Sequence, residues 1–291
     1  MDNLKIKATR RINKPKGKSI GLVMNFKTDA TSGYVGEIVK GILWGLHEIG
    51  YDLKIISQEQ FVASPDYIDN SGIEGAIVTH GSRDISADLR KEIGKKEGKI
   101  WPVVVINDYH PELRTNQLYV DSYKASLNMT SFLVKNGNKE FFIIGESKAE
   151  DAQARKKAII ETLEKNKIKI SKNNCLNGYF SEEGGYLAAK DILESVSDFR
   201  GVLYCLNDAM AIGALRAIGE KGLICPRDIK IVGFDGIPHT EFTNPPITTM
   251  RFPLIEMGYH SVQIIYNINK GKATKPILKE FSGELLVRSS C

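Results

Sequence analysis

From Ser19 onward, short runs of β-branched and apolar residues alternate with longer stretches whose apolar positions recur every three or four residues. That alternation marks parallel βαβ units, because a strand covered on both faces reads as a continuous apolar run and its covering helix as one stripe. The pattern predicts strands over residues 20–24, 53–56, 75–78 and 103–106, with a short one at 118–120. Between the first two, Val35, Ile38, Val39, Ile42, Leu43 and Leu46 share one helical face, and Gly50 stops the helix. A weaker helix is expected over 88–95.

The second half repeats the layout. Helices are expected over 122–135, 152–166, 182–195, 209–220 and 254–269, the fourth capped by Asn207 or Asp208 and the last opening after Pro253. Strands are expected over 141–144, 175–180, 202–206 and 229–234, with short ones near 277–281 and 285–287. The fold class is therefore α/β, two doubly wound parallel-sheet lobes of similar size around a cleft. In open parallel sheets ligands bind beyond the carboxyl ends of the strands. The polar residues at those ends are Asn25, His80, Asn107-Asp108, Asp121, Asn207-Asp208 and Asp235.

Composition narrows the compartment. At 291 residues and 42% hydrophobic content, the chain supports about two folding units of roughly 150 residues. No run approaches the roughly 18 apolar residues that span a bilayer, and Met1-Asp2-Asn3-Leu4-Lys5 opens no apolar signal segment. Secretion and membrane association are disfavoured, and a cytoplasmic protein is expected. Cys175, Cys205, Cys225 and Cys291 form no CxxC pair and have no histidine at zinc-ligand spacing, which implies reduced thiols and no metal. Charge is uneven: residues 1–18 hold seven Lys or Arg against one acid, net +6, while the rest holds 33 basic and 34 acidic side chains. The basic tail reads either as a solvated end or as a segment that touches phosphates.

No catalytic residue or cofactor is expected. The chain has no GxGxxG after the first strand, no GxxxxGK[ST], no GxSxG and no HExxH. Of five histidines only His80 and His110 follow strands, and each also reads as an ordinary loop histidine. A small polyhydroxylated ligand is gripped by Asp and Asn side chains, which suits Asp121, Asn207 and Asp235. Each of these also reads as a helix N-cap, and Asp208 is assigned the capping role. Arg155 lies in a basic run of the kind that is usually solvated surface, but its spacing after the strand over 141–144 brings the first turn of its helix to the cleft. Phe180 either stacks on a sugar face or packs in the core.

Several blocks together carry a resemblance. They are the run from Val202 to Ala214 (VLYCLNDAMAIGA), then Pro226-Arg227-Asp228-Ile229, Val232-Gly233-Phe234-Asp235, the run from Pro245 to Met250 (PPITTM), and the ending from Glu284 to Cys291 (ELLVRSSC). In this order they resemble the effector-binding part of LacI/GalR-type transcriptional regulators, over about residues 19–291. The resemblance implies a periplasmic binding protein-like type I fold whose chain crosses between lobes three times. It sets one lobe at 19–136 plus 251–279 and the other at 137–250 plus 280–291, with 1–18 as a linker or hinge remnant. It carries ligand contacts over to Asp121, Arg155, Phe180, Asn207 and Asp235, while Asn25 and His80 complete the strand-end set.

The resemblance further implies a homodimer and a small-molecule effector, a carbohydrate first of all. Operator DNA would be engaged only through an N-terminal helix-turn-helix head that residues 1–18 cannot supply. Three departures from the family pattern bear on the pocket. Gly236 stands where Asp or Asn is usual, Phe252 stands where many members place a polar contact, and the loop from Asn25 to Gly33 is longer. A less polar wall is expected at Phe252. The alternative reading is an extracellular sugar-binding protein of a transport system, built on the same lobes. A glycosidase would need two carboxyls held about 5–10 Å apart, and no pair is placed for it.

Overall fold

The computed structural model describes residues 17–26, 32–63, 72–79, 91, 102–107, 109–145, 149–196, 198–273 and 275–291. The tail before Gly17, His80, Asp108 and nearly all of the helix expected over 88–95 lie outside these residues.

The first lobe opens with β1 (Ser19–Met24), α1 (Gly33–Ile49), β2 (Asp52–Ser57), α2 (Gln58–Ala63), β3 (Ile73–Thr79), β4 (Val103–Asn107) and β5 (Asn116–Val120). The second runs through α3 (Ser122–Lys135), β6 (Phe141–Ile144), α4 (Glu150–Lys165), β7 (Cys175–Leu176), α5 (Glu182–Ser195), β8 (Val202–Cys205), α6 (Asp208–Glu220), β9 (Lys230–Asp235) and β10 (Thr248–Arg251). The chain then returns for α7 (Leu254–Asn269) and β11 (Leu278–Phe281) and crosses again for β12 (Glu284–Leu286).

Two six-stranded sheets result, ordered β2-β1-β3-β4-β5-β11 and β7-β6-β8-β9-β10-β12. Every pairing is parallel except the antiparallel one between β10 and β12. Strand alternation sorts the first lobe's core: Ile20, Leu22, Ile77, Val104 and Ile106 pack with Ile38 and Ile42 of α1 and Val262 and Ile265 of α7. Val23, Ile56, Ala76, Val78, Val103 and Val105 form a separate core with Phe61 of α2. In the second lobe β6 and β8 are buried at every position, as a sheet covered on both faces requires.

The two-lobe α/β reading holds, with differences that have local causes. Helix α3 packs on α4 and against β10 and β12, so it lies with the second sheet. The first crossing therefore follows β5, whereas the sequence boundary at 136 put this helix in the first lobe. Periodicity marks a helix but not the sheet that it covers. The strand expected over 175–180 stops at Leu176. Asn177 accepts the Tyr179 amide at 2.9 Å, and Tyr179 and Phe180 take φ of 50° and 54°, which turns the chain out of extended geometry. The sequence pattern gave no sign of α2 or β10. Asn207, not Asp208, caps α6: its Oδ1 accepts the Met210 amide at 2.9 Å.

Asp208 is instead the first residue of α6 and has no exposed surface. Its Oδ2 accepts the Ile237 amide at 2.8 Å, and its Oδ1 accepts the Thr249 hydroxyl at 2.6 Å. The Gly236 amide donates to it too. A Cβ on Gly233 would stand 2.2 Å from Oδ1, so only glycine leaves room for the carboxyl beside β9. Burial pushes this carboxyl up to about 7, against the pull of Thr249, the two amides and the positive field of Arg288. Burial also pushes the Cys205 thiol up, and Asp208 adds to that rise when it ionises.

The folded chain thus keeps a proton on Asp208 that an unfolded aspartate releases near pH 4. The stability linked to it is full below about pH 4 and is lost as pH rises through about 7. Denaturant titrations between about pH 5 and pH 8 should show stability falling with pH, and Asp208→Asn should flatten that slope. An unchanged slope in the variant would refute the assignment.

Candidate functional site

The candidate site is built around one buried cation. Arg155 projects from the second turn of α4, and its side chain is 4% exposed. A guanidinium taken out of water costs several kcal/mol unless every face finds a partner. Nη2 lies 3.0 Å from Asp151 one turn earlier, and Nη1 donates to the Leu206 carbonyl at 2.5 Å and stands 3.8 Å from Asp235. Nε reaches the Ser122 hydroxyl at 3.4 Å, and the guanidinium carbon sits 4.0 Å from the centre of the Phe234 ring. The cation is thus gripped by carboxylates, a carbonyl and an aromatic face. The surface reading of this basic run fails for Arg155, which reaches the carboxyl ends of β8 and β9.

Asp235 closes β9 in an uncommon conformation. Its φ is 112°, which costs a residue with a side chain about 1–3 kcal/mol. Gly236 follows with φ of 76°, and a Cβ there would lie 2.4 Å from the Cα of Arg251. The turn packs so tightly on the strand that leaves this lobe that no side chain fits, which accounts for glycine at this position. The Phe252 amide donates to the Asp235 carbonyl at 3.2 Å. The Phe252 ring is buried with its centre 5.1 Å from that of Phe234, so it backs the platform under Arg155.

Asn207 follows Leu206, whose carbonyl holds Arg155. While its Oδ1 caps α6, its Nδ2 donates to the Phe180 carbonyl at 3.3 Å, and it is 8% exposed. Phe180 itself is half-buried against the core. Asp121 is exposed and caps α3, its Oδ1 accepting the Lys124 amide at 2.8 Å. Its neighbour Ser122 touches Arg155. Asn25 ends β1 in the first lobe, half-buried. His80 lies outside the described residues, as does the side chain of Asn107.

Contacts unite Arg155 with Asp235 and, through Phe234, with Phe252, while Asn207 and Phe180 form a second pair that adjoins them through Leu206. Asp121 adjoins them through Ser122, and Asn25 stands in the other lobe. Sequence reasoning missed Asp151, Ser122 and Phe234. The four-residue spacing of Asp151 and Arg155 was the available signal for the first.

One more contact crosses between lobes. His110, in the loop after β4, is buried, with Nδ1 3.1 Å from Glu150 at the start of α4 and 3.6 Å from Glu112. Gln117 fixes the loop: its Oε1 accepts the His110 amide at 2.8 Å, and its Nε2 donates to the His110 carbonyl at 2.9 Å. His110 is thus no surface histidine. Among the described residues no helix is long and apolar enough to cross a membrane.

Comparison with known proteins places this architecture. The periplasmic binding protein-like domain matches residues 130–291. The chain is 28% identical over 284 residues to the HTH-type transcriptional repressor PurR of Pasteurella multocida (strain Pm70), covering 94% of this chain and 81% of that protein. It is 24% identical over 286 residues to the HTH-type transcriptional repressor CytR of Escherichia coli (strain K12), covering 97% and 81%.

Among solved structures, a complex of the transcriptional regulator CelR with cellobiose superposes with a TM-score of 0.80 at 20% identity, over 94% of this chain and 84% of that one. A LacI family regulator from Enterococcus faecium with bound ribose gives 0.79 at 22% identity, over 94% and 98%. At these identities the structures attest the shared fold. The sequence relatives are transcriptional regulators rather than enzymes. The chain belongs to the periplasmic binding protein-like domain family, in the form of the effector-binding domain of LacI/GalR-type transcriptional regulators.

Proposed function

We propose that this domain senses a small, neutral, polyhydroxylated molecule, a sugar first of all, in the cleft between its lobes. The observation that carries the reading is the buried grouping of Arg155 with Asp151 and Asp235 at the ends of β8 and β9. Carboxylate acceptors beside a guanidinium donor suit hydroxyls, which both donate and accept. Asp235 and Asn207 bond ligand hydroxyls, Arg155 donates a charge-assisted bond, Phe180 stacks on an apolar ring face, and Asp121 closes the rim. Asn25 stands at the end of the first strand of the other lobe, and Phe252 stiffens the floor. The fold neighbours bound to cellobiose and to ribose support the carbohydrate class, with nucleobases and phosphorylated sugars behind it.

The ligand acts by population shift. It biases the lobes toward closure only by the difference in its affinity for the open and closed arrangements. In a cytoplasmic homodimer, closure resets the spacing of two helix-turn-helix heads and so controls operator binding. Sedimentation of the purified domain should return twice the chain mass.

A thermal-shift screen against monosaccharides, disaccharides, sugar phosphates, nucleosides, nucleobases and amino acids tests the reading. A ligand at one hundred times its dissociation constant adds about 2.7 kcal/mol, a shift of a few degrees. Sugars should score, and a panel in which no sugar shifts the melt refutes the carbohydrate assignment. With a binder in hand, Asp235→Ala and Arg155→Ala should each weaken it about fivefold to 150-fold. Unchanged affinity in both variants would remove these residues from the site.

A further inference from the structure

Adjacent polar residues open α6 and face different surroundings. Asn207 reaches the Phe180 carbonyl at the cleft, whereas Asp208 turns into the core. The bonds of Asp208 run away from its own helix, to the Gly236 and Ile237 amides and to the Thr249 hydroxyl. We infer that Asp208 is a positioning residue for the effector site, acting through Asp235. This rests on the reading that Asp235 bonds the ligand.

The two amides that Asp208 holds belong to the residues immediately after Asp235. A residue with a side chain leaves a φ of 112° unless its surroundings over-determine it. Here the preceding strand is fixed by its pairing with β10, and the following turn is fixed by one buried carboxyl oxygen. Asp235 lies between two clamped segments and has no ordinary conformation open to it. The clamp keeps its Oδ1 3.8 Å from Arg155. The other oxygen of Asp208 is held by Thr249, which pairs with Gly233 in the sheet and stands two residues before the chain leaves the lobe at Arg251. One side chain thus ties the ligand-bonding carboxylate to the strand that carries the crossing.

The test is amide hydrogen exchange on ligand-free protein, read at Gly236 and Ile237. In Asp208→Ala both amides should exchange at least tenfold faster while α6 and β8 keep their protection. Asp208→Asn retains a carbonyl oxygen at the site and should restore most of the protection. Thr249→Val leaves the carboxyl in place but frees it, and should shift the same two amides in the same direction. The melting-temperature loss caused by Asp208→Ala should shrink by half or more in an Asp235→Gly background, where no strained conformation needs holding.

Unchanged exchange at both amides, a loss of protection spread evenly along the chain, or an equal melting loss in both backgrounds would overturn the inference. Should Asp208→Ala fail to fold, Thr249→Val decides by the same two amides. A blank ligand panel would sink the effector reading and leave these rates untouched, so the two failures are distinguishable.

Discussion

A guanidinium sealed from water dictates its own surroundings, and the burial of Arg155 organises the second lobe's open end. Its charge obliges Asp151 to sit one turn earlier on α4, the Leu206 carbonyl to end β8 facing it, Asp235 to end β9 within reach, and Phe234 to lie flat beneath. Three segments far apart in sequence are thereby aligned before any ligand arrives. Such an arrangement is preorganised: the ordering cost is met in folding, and less is lost on association. The strained Asp235 and the bare backbone of Gly236 are tolerated because the packing around them leaves no alternative.

Much of this was legible in the residues, and the gaps have physical causes. Helices α3, α5 and α7 and strand β6 match their expected ranges because periodic apolar faces and clear start and stop residues bound them locally. Strand β10 escaped notice because it is four residues with two threonines, and its extended form is imposed by pairing with β9. Strand β7 ended early because Asn177-Gly178 turns the chain, a signal present in the sequence but outvoted by its neighbours. At the site, Asp235 and Asn207 stood out as polar residues ending apolar strands. Arg155 stood out less beside Lys156 and Lys157, its spacing after β6 pointing to the cleft without revealing which face of the helix meets a strand end. Phe234 entered only as part of a strand, and its use as a platform exists only once Arg155 is above it.

The two sheets repeat one order, the second strand first, then the first, third, fourth and fifth, with a late strand at the far edge. Each lobe therefore presents the same topological switch point toward the cleft. The lobes differ in what stands at their strand ends: the second has the buried charges, and the first has Asn25 and the loop of His110. That loop touches the second lobe through Glu150. The joint is thus held by three covalent crossings and by a polar contact that separation of the lobes would break.

The late return of the chain has a consequence for biosynthesis. The second lobe has all its helices and all but one strand once Arg251 has been made, while the first still awaits α7 and β11. The lobe begun first is finished last. Until residues 254–281 emerge from the ribosome, Ile38 and Ile42 of α1 lack the Val262 and Ile265 side chains that cover them, and β5 shows a bare edge. A nascent chain in that interval carries an apolar face and an unpaired strand together, the combination that chaperones bind. Translation speed across the stretch from Asp121 to Phe281 therefore sets how long the first lobe stays open.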